Sequence, residues 1–271
     1  MIGWPVDHSL SPAIHNAAFA ALDLDWAYVP MPVEPGRLEA ALEGLRALGF
    51  AGASVTMPHK SACADALEEL SDDARLLRAV NTIVVAPESS AGHNTDVGGF
   101  ERFLRLDAGF DPSGRTALVY GAGGAARACA LALARGGIGA LTLAARSPER
   151  AETAIVVLDG LGTPTSVVGM DGVNQVRADL VVNATPLGAG EAELPLPALG
   201  PGVMAVDLLY RPAVTLLQSA ARDAGGEAFG GLGLLVHQAA LAFELWTGRP
   251  APLQAMSSAA LGEAGSQARS G

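Results

Sequence analysis

The sequence predicts an α/β protein of two domains, and three observations lead there. A chain of 271 residues, half of them hydrophobic, exceeds what one small core needs. From Thr116 onward, short apolar runs alternate with helical stretches, the βαβ pattern of a parallel sheet. The texture changes near Val97–Phe100, which places the domain junction there. Charged residues are only 17% of the chain and mean hydropathy is +0.32, which excludes a disordered polyelectrolyte.

The first half reads as short, mixed elements. Ser11 serves as N-cap and Pro12 sits in the first turn; Ile14, Ala17, Ala18, Ala21 and Leu22 then recur at helical spacing, predicting a helix over 11–22. A strand over 26–30 and a helix over 35–48 follow. Residues 52–57 read as a strand that Pro58 stops, with a helix over 59–70 behind it. A strand over 79–85 and a helix over 97–106 close this half.

In the second half, Thr116–Tyr120 is continuously apolar, as in a strand buried on both faces. Helices are predicted over 125–135, from 148, over 215–224 and over 234–246. Strands are predicted over 140–145, 180–183 and 203–208. The last helix packs on either half as far as the sequence tells, and the polar tail from Gly262 reads as frayed.

Net charge of −11 argues against nucleic acid or an anionic membrane as partner. Cys63 and Cys129 are too few for a disulfide framework or a four-cysteine metal site. No run approaches the ~20 apolar residues that span a bilayer, and no signal peptide is evident, so a cytoplasmic setting is expected. No pair of histidines has metal-ligand spacing beside an acid, so no metal is expected.

The strand T-A-L-V-Y leads into G-A-G-G-A-A, and a helix opens there. Gly121, Ala122, Gly123, Gly124 and Ala125 thus form a candidate pyrophosphate turn. Gly121 permits the bend, Gly123 lets the backbone approach, and the helix start supplies amide donors. The flanking strand and helix give the glycines their weight. This half is therefore expected to be a Rossmann-type, NADP-binding domain. Where an acid would hold a ribose 2′-hydroxyl, the next strand offers Arg146 and Ser147, with Arg150 one turn on. Guanidinium groups grip a 2′-phosphate, so NADP is favoured over NAD. Residues 115–150 hold five Arg and one Glu, a local excess of positive charge in an acidic chain.

Sixteen of the 17 basic residues are Arg; the single lysine is Lys60. Lysine, unlike arginine, can be tuned to trade a proton near neutrality. It stands at the end of V-T-M-P-H-K, at a helix start where a cation without a role is disfavoured. Asp96, in N-T-D, is a carboxylate able to orient it. Thr56, Asn81, Ser9 and Ser11 are neutral hydrogen-bonders. Ser9 and Ser11 fit a carboxylate cradle, or equally a loop residue and a plain cap. Together these groups suit a small polyhydroxylated acid, with an ammonium placed to protonate the alkoxide formed by hydride addition. His59 is expected to pack rather than react, since neighbours at a helix start diverge.

These segments, with H-S-L-S-P, A-V-N-T, N-A-T-P-L-G and G-L-G-L-L-V-H-Q-A-A, resemble the shikimate dehydrogenase family in order and spacing, from Gly3 to about Pro252. The resemblance implies reversible NADP-dependent reduction of 3-dehydroshikimate to shikimate, on the route to aromatic amino acids. It implies a discontinuous substrate-binding α/β domain, 1–97 with 236–271, around an NADP-binding domain, 98–235. It implies Lys60 and Asp96 as the catalytic pair, and Ser9, Ser11, Thr56, Asn81, Tyr210 and Gln238 around substrate. Asn183 and Thr185 join the cofactor set. Three departures stand out. The family's first strand normally precedes the G-x-P turn by several residues, whereas only Met1 and Ile2 stand there, so either the start is trimmed or the strand is stunted and an outer sheet position is short of pairing. Ser54 stands where the family usually has Asn. Ala145 stands where Asn commonly precedes the phosphate-binding arginine. A quinate or aminoshikimate dehydrogenase, or a non-catalytic NADP or metabolite sensor, are the alternatives; the expected assembly is a monomer or homodimer.

Overall fold

The computed structural model describes the chain except residues 87, 148–150, 152–154, 156–157, 159, 190–192 and 271. It divides into two compact units, Met1–Gly99 with Leu235–Gly271, and Phe100–Leu234.

The first unit opens with β1 (Ile2–Gly3), α1 (Ser11–Ala21), β2 (Met31–Pro32), α2 (Leu38–Ala47), β3 (Gly52–Ser54) and α3 (Lys60–Ala66). After these come β4 (Glu69–Leu70), α4 (Asp72–Leu77), β5 (Thr82–Val85) and β6 (Ser90–His93), and α5 (Asp96–Leu106) begins. Its sheet runs β3-β5-β6-β4, antiparallel except for the β4–β6 pair. The short β1 is not left unpaired. Ile2 lies beside Met31 on one side and Val55 on the other, both parallel, and is 1% exposed. Two residues suffice because Ile2 joins Leu42, Leu45, Val55, Cys63, Val80 and Ile83 in the core.

The second unit holds β7 (Thr116–Tyr120), α6 (Gly124–Arg135), β8 (Ala140–Ala144), β9 (Thr165–Val168), β10 (Leu180–Asn183), β11 (Met204–Asp207), α7 (Leu216–Asp223) and β12 (Glu227–Phe229). All six strands are parallel, in the order β12-β11-β10-β7-β8-β9. The chain builds outward from β7 in one direction, then returns to build from β10 in the other. That reversal is the topological switch point of a doubly wound, Rossmann-type sheet, where ligands bind at the carboxyl ends of the strands. Leu118, Tyr120, Val181, Ala205 and Leu217 fill one face.

The chain then returns to the first unit in α8 (Leu232–Thr247) and ends in α9 (Leu253–Ser270). The α9 helix packs along α1, and the Trp246 indole donates to the Ile83 carbonyl at 2.9 Å. No helix among the described residues is long and apolar enough to cross a membrane.

Several expectations need correction. Residues 26–30 do not pair as a strand, because both backbone groups of Tyr28 bond instead to the Asn16 carboxamide, at 2.7 and 2.9 Å. The helix expected over 59–70 stops at Ala66, and β4 and α4 follow. Ser71 caps α4 by accepting from Ala74 N, and acidic Asp72 and Asp73 fill its first turn, a start signal the sequence carried openly. The edge strands β4, β9 and β12 and the hairpin strand β6 lack a strong apolar pattern and were not expected. From Gly262 to Ser270 the chain is helical within α9 rather than frayed. The helix expected from 148 falls largely outside the described residues.

Candidate active site

The polar centre of the first unit forms where α3 and α5 begin beside the hairpin of β5 and β6. The Lys60 ammonium donates to Asp96 Oδ2 at 2.7 Å, and the Asn81 amide donates to Asp96 Oδ1 at 2.8 Å. The two charged side chains are 26% and 13% exposed, so water screens the pair weakly and ligand can still reach it. Strand register sets this geometry. Asn81 N bonds the His93 carbonyl, Val80 N bonds the Lys60 carbonyl, and Asn94 Oδ1 accepts from Asp96 N at 3.1 Å. Thus the chain on either side of the hairpin fixes both ends of the ion pair.

Asn81 is 3% exposed and does more orienting than the sequence suggested. Its Oδ1 accepts from Thr95 N at 2.8 Å, and from the hydroxyls of Thr82 and Thr95 at 3.0 and 3.2 Å. One amide proton holds Asp96, which leaves one for a ligand. His59 packs as expected: it is buried, with Nε2 2.7 Å from the Val33 carbonyl.

Ser11 is not the cap of α1. Leu10 holds that position without a side-chain bond, and Ser9 Oγ accepts from Ser11 N at 3.2 Å. Ser9 therefore keeps its own proton to donate to an acid. Ser54 accepts the Tyr28 hydroxyl proton at 2.6 Å, and Thr56, two residues on, is half-buried. Burial pushes the Tyr28 phenol well above its ordinary range, while hydrogen bonds with Ser54 and Ser11 pull it back. Tyr28 stacks on His15, with ring centroids 4.4 Å apart. Gln238 backs onto Gly99, one turn into α5 from Asp96, and its amide donates to the Leu235 carbonyl at 2.8 Å.

In the second unit, the turn after β7 has Gly121 at φ +110°, a conformation that favours glycine. Added side-chain carbons at Gly123 and Gly124 would meet nothing within 4 Å, and no side chain among the described residues caps the N-terminus of α6. Open space above uncapped amides fits a pyrophosphate. Arg146 lies exposed just past β8, with Ser147 half-buried beside it. Arg150 lies outside the described residues. Asn183 ends β10, the strand next to β7, and Thr185 follows two residues on. Asn183 is 0% exposed and bonded within the protein, so burial at a strand end was the missed sign of an internal role. Tyr210 follows β11 in this unit, half-buried.

Comparison with known proteins converges with this geometry. The family model for the shikimate dehydrogenase substrate binding domain matches residues 1–83, and that for the shikimate 5'-dehydrogenase C-terminal domain matches 231–261. The shikimate dehydrogenase (NADP(+)) of Moorella thermoacetica is 48% identical over 265 residues, covering 94% of this chain and 90% of that protein. The crystal structure of shikimate 5-dehydrogenase from Thermus thermophilus, in complex with NADP(H) and shikimate, is similar at TM-score 0.85 and 34% identity, covering 97% of each chain. Quinate dehydrogenase from Corynebacterium glutamicum, in complex with NAD, is similar at TM-score 0.86 and 32% identity, covering 96% of this chain and 97% of that one. With a lysine–aspartate pair in one unit and a doubly wound dinucleotide sheet in the other, and with near full-length identity approaching one half, the chain belongs to the shikimate dehydrogenase family.

Proposed function

We propose that Lys60 and Asp96 are the acid–base pair of this chain, an NADP-dependent shikimate dehydrogenase that interconverts 3-dehydroshikimate and shikimate. NADPH, when bound, supplies the hydride, and NADP+ takes it back. As hydride adds to the ketone carbon, negative charge develops on oxygen; the Lys60 ammonium donates the proton that completes the alcohol. In reverse, the alcohol proton passes to the Lys60–Asp96 pair. The observation that carries this reading is the 2.7 Å contact between them, with Asn81 fixing the other carboxylate oxygen.

Ser9 donates to the substrate carboxylate with Ser11 beside it. Thr56, the free Asn81 proton, Gln238 and Tyr210 meet the hydroxyls. The amides of 121–125 take the pyrophosphate, and Arg146, Ser147 and Arg150 take the 2′-phosphate, with Thr185 on the same ligand. The cytoplasmic setting and the monomer or homodimer assembly belong to the same proposal, which gel filtration of the purified chain reads in part.

Steady-state assay with NADP+ and NAD+, each against shikimate and quinate, tests it. Shikimate with NADP+ is expected to give the highest kcat/KM. A preference for quinate would move the chain to the quinate dehydrogenase reading, and a higher kcat/KM with NAD+ would overturn the roles of Arg146 and Arg150.

A further inference from the structure

Parallel register sets Tyr120, Asn183 and Asp207 side by side at the carboxyl ends of β7, β10 and β11. Asn183 and Asp207 are each 0% exposed. Asp207 Oδ1 accepts from Asn183 Nδ2 at 3.0 Å and from Leu209 N at 3.1 Å, and its Oδ2 accepts from the Thr215 hydroxyl at 2.7 Å. The second amide proton of Asn183 goes to the Leu187 carbonyl at 3.0 Å. Asn183 Oδ1 accepts from Thr185 N at 3.1 Å and from the Thr185 hydroxyl at 2.7 Å. Thr185 Oγ1 in turn accepts from Leu187 N at 3.2 Å. Both donors and both lone pairs of Asn183 are thereby engaged, which leaves it nothing to offer a ligand.

A buried carboxylate whose hydrogen-bond partners are all neutral is an expensive way to fill a sheet end. Burial raises the pKa of Asp207 against the three bonds that lower it. An apolar residue would fill the space without that penalty, so the carboxylate answers to something other than packing. Its bonds run to the segments that leave β10 and β11. The first of these closes on the glycine turn: a side-chain carbon at Gly121 would stand 3.1 Å from Thr185 Cγ2 and 3.3 Å from the Ala184 carbonyl.

We propose that Asp207 is a positioning residue for the dinucleotide: acting through Asn183, it fixes the 184–187 segment against the Gly121 turn, with Thr185 as the ligand-facing end. Asn183 is the link and does not touch the cofactor. The inference rests on the NADP reading above.

Calorimetric titration of NADP+ into the purified chain tests it, with thermal unfolding measured in parallel. Asp207→Ala is expected to weaken NADP+ binding about tenfold, the scale of one lost buried hydrogen-bond network. Asp207→Asn keeps an oxygen toward Asn183 and Leu209 and is expected to stay within about threefold of the parent. Asp207→Ala with Thr185→Val is expected to be no more than about twofold weaker than Asp207→Ala alone, since both break one relay. A merely structural Asp207 would lower the melting temperature and leave NADP+ affinity at the parental value, and that result overturns the proposal. So does full additivity in the double variant, or loss in Asp207→Asn equal to that in Asp207→Ala. Should Asp207→Ala fail to fold, Asn183→Ala breaks the relay one link on, and parental affinity there overturns it equally. An unmodified chain that binds no NADP+ overturns the cofactor reading itself, which separates the two failures.

Discussion

The two polar regions of this chain are built by opposite means. Around Lys60 the surface is made of side chains, each clamped by a neighbour: Asp96 by Lys60 and Asn81, and Asn81 by three donors from Thr82 and Thr95. Around Gly121 it is made of bare backbone, with a positive φ, uncapped amides and space where side chains would stand. Chemistry that moves a proton needs groups fixed to within fractions of an ångström. A pyrophosphate needs room and amide donors. The contrast predicts that removing atoms damages the first region and adding atoms damages the second.

Lys60→Ala is the largest expected effect. It should lower kcat for shikimate oxidation by about 10²–10⁴-fold, the span of a lost general acid–base group, with NADP+ affinity unchanged. Stopped-flow or steady-state absorbance at the nicotinamide band reads it, and kcat within threefold of the parent would end the acid–base assignment. Gly123→Ala comes next and inverts the logic. Gly123 has φ −77° and ψ −176°, which any residue adopts, and open space beyond, so the folded protein should lose no more than about 0.5 kcal/mol. On the proposed reading of this turn as the pyrophosphate site, NADP+ affinity should nevertheless fall at least about tenfold, because the added methyl would occupy ground the phosphate requires. Loss of stability without loss of affinity would erase the contrast.

If Arg146, exposed just past β8, takes the 2′-phosphate as proposed, Arg146→Ala should weaken NADP+ by about tenfold and leave NAD+ unchanged. Equal losses for both cofactors would assign Arg146 elsewhere. The smallest expected effect concerns His15, 1% exposed, with neither ring nitrogen hydrogen-bonded among the described residues and its pKa lowered to about 3, by burial first and by the amino terminus second. Unfolded, the ring titrates near its ordinary value, so between that value and about 3 the unfolded chain binds the extra proton. The His15 contribution is thus complete above about pH 6.5 and is lost as pH falls below it, alongside that of the buried Met1 amine, which is lowered to about 5 and begins to lose its share below its ordinary value of 8.0. His15→Phe should flatten, without abolishing, the loss of stability between pH 7 and pH 5.5 in urea unfolding, the remainder belonging to the Met1 amine, and an unchanged loss would place the acid sensitivity in other groups.

The second unit was legible because continuous apolar strands and a glycine turn are local signals. Thr116–Tyr120 and Leu180–Asn183 came out with the bounds expected. The first unit was harder, because its strands are two to four residues long and gain their stability from tertiary partners. Ile2 is ordered by Met31 and Val55, which no window around it contains. Lys60 was visible by its solitude, and Asp96 by its place in a short motif. The orienting work of Asn81 was hidden, since it depends on Thr82 and Thr95 meeting across a hairpin. Asp207 and the saturated amide of Asn183 were equally hidden, being a matter of register between parallel strands. Ser11 misled because it looked like a cap, whereas its own backbone amide is the group being satisfied.

The indole of Trp246 grips the carbonyl of Ile83, 163 positions earlier in the chain. Synthesis delivers those partners far apart in time, and the whole of Phe100–Leu234 emerges from the ribosome between them. The middle unit can therefore complete its fold first, while the opening unit waits for its closing helices. A chain truncated after residue 234 would hold all six strands of the parallel sheet and lack the Trp246 indole that closes on Ile83.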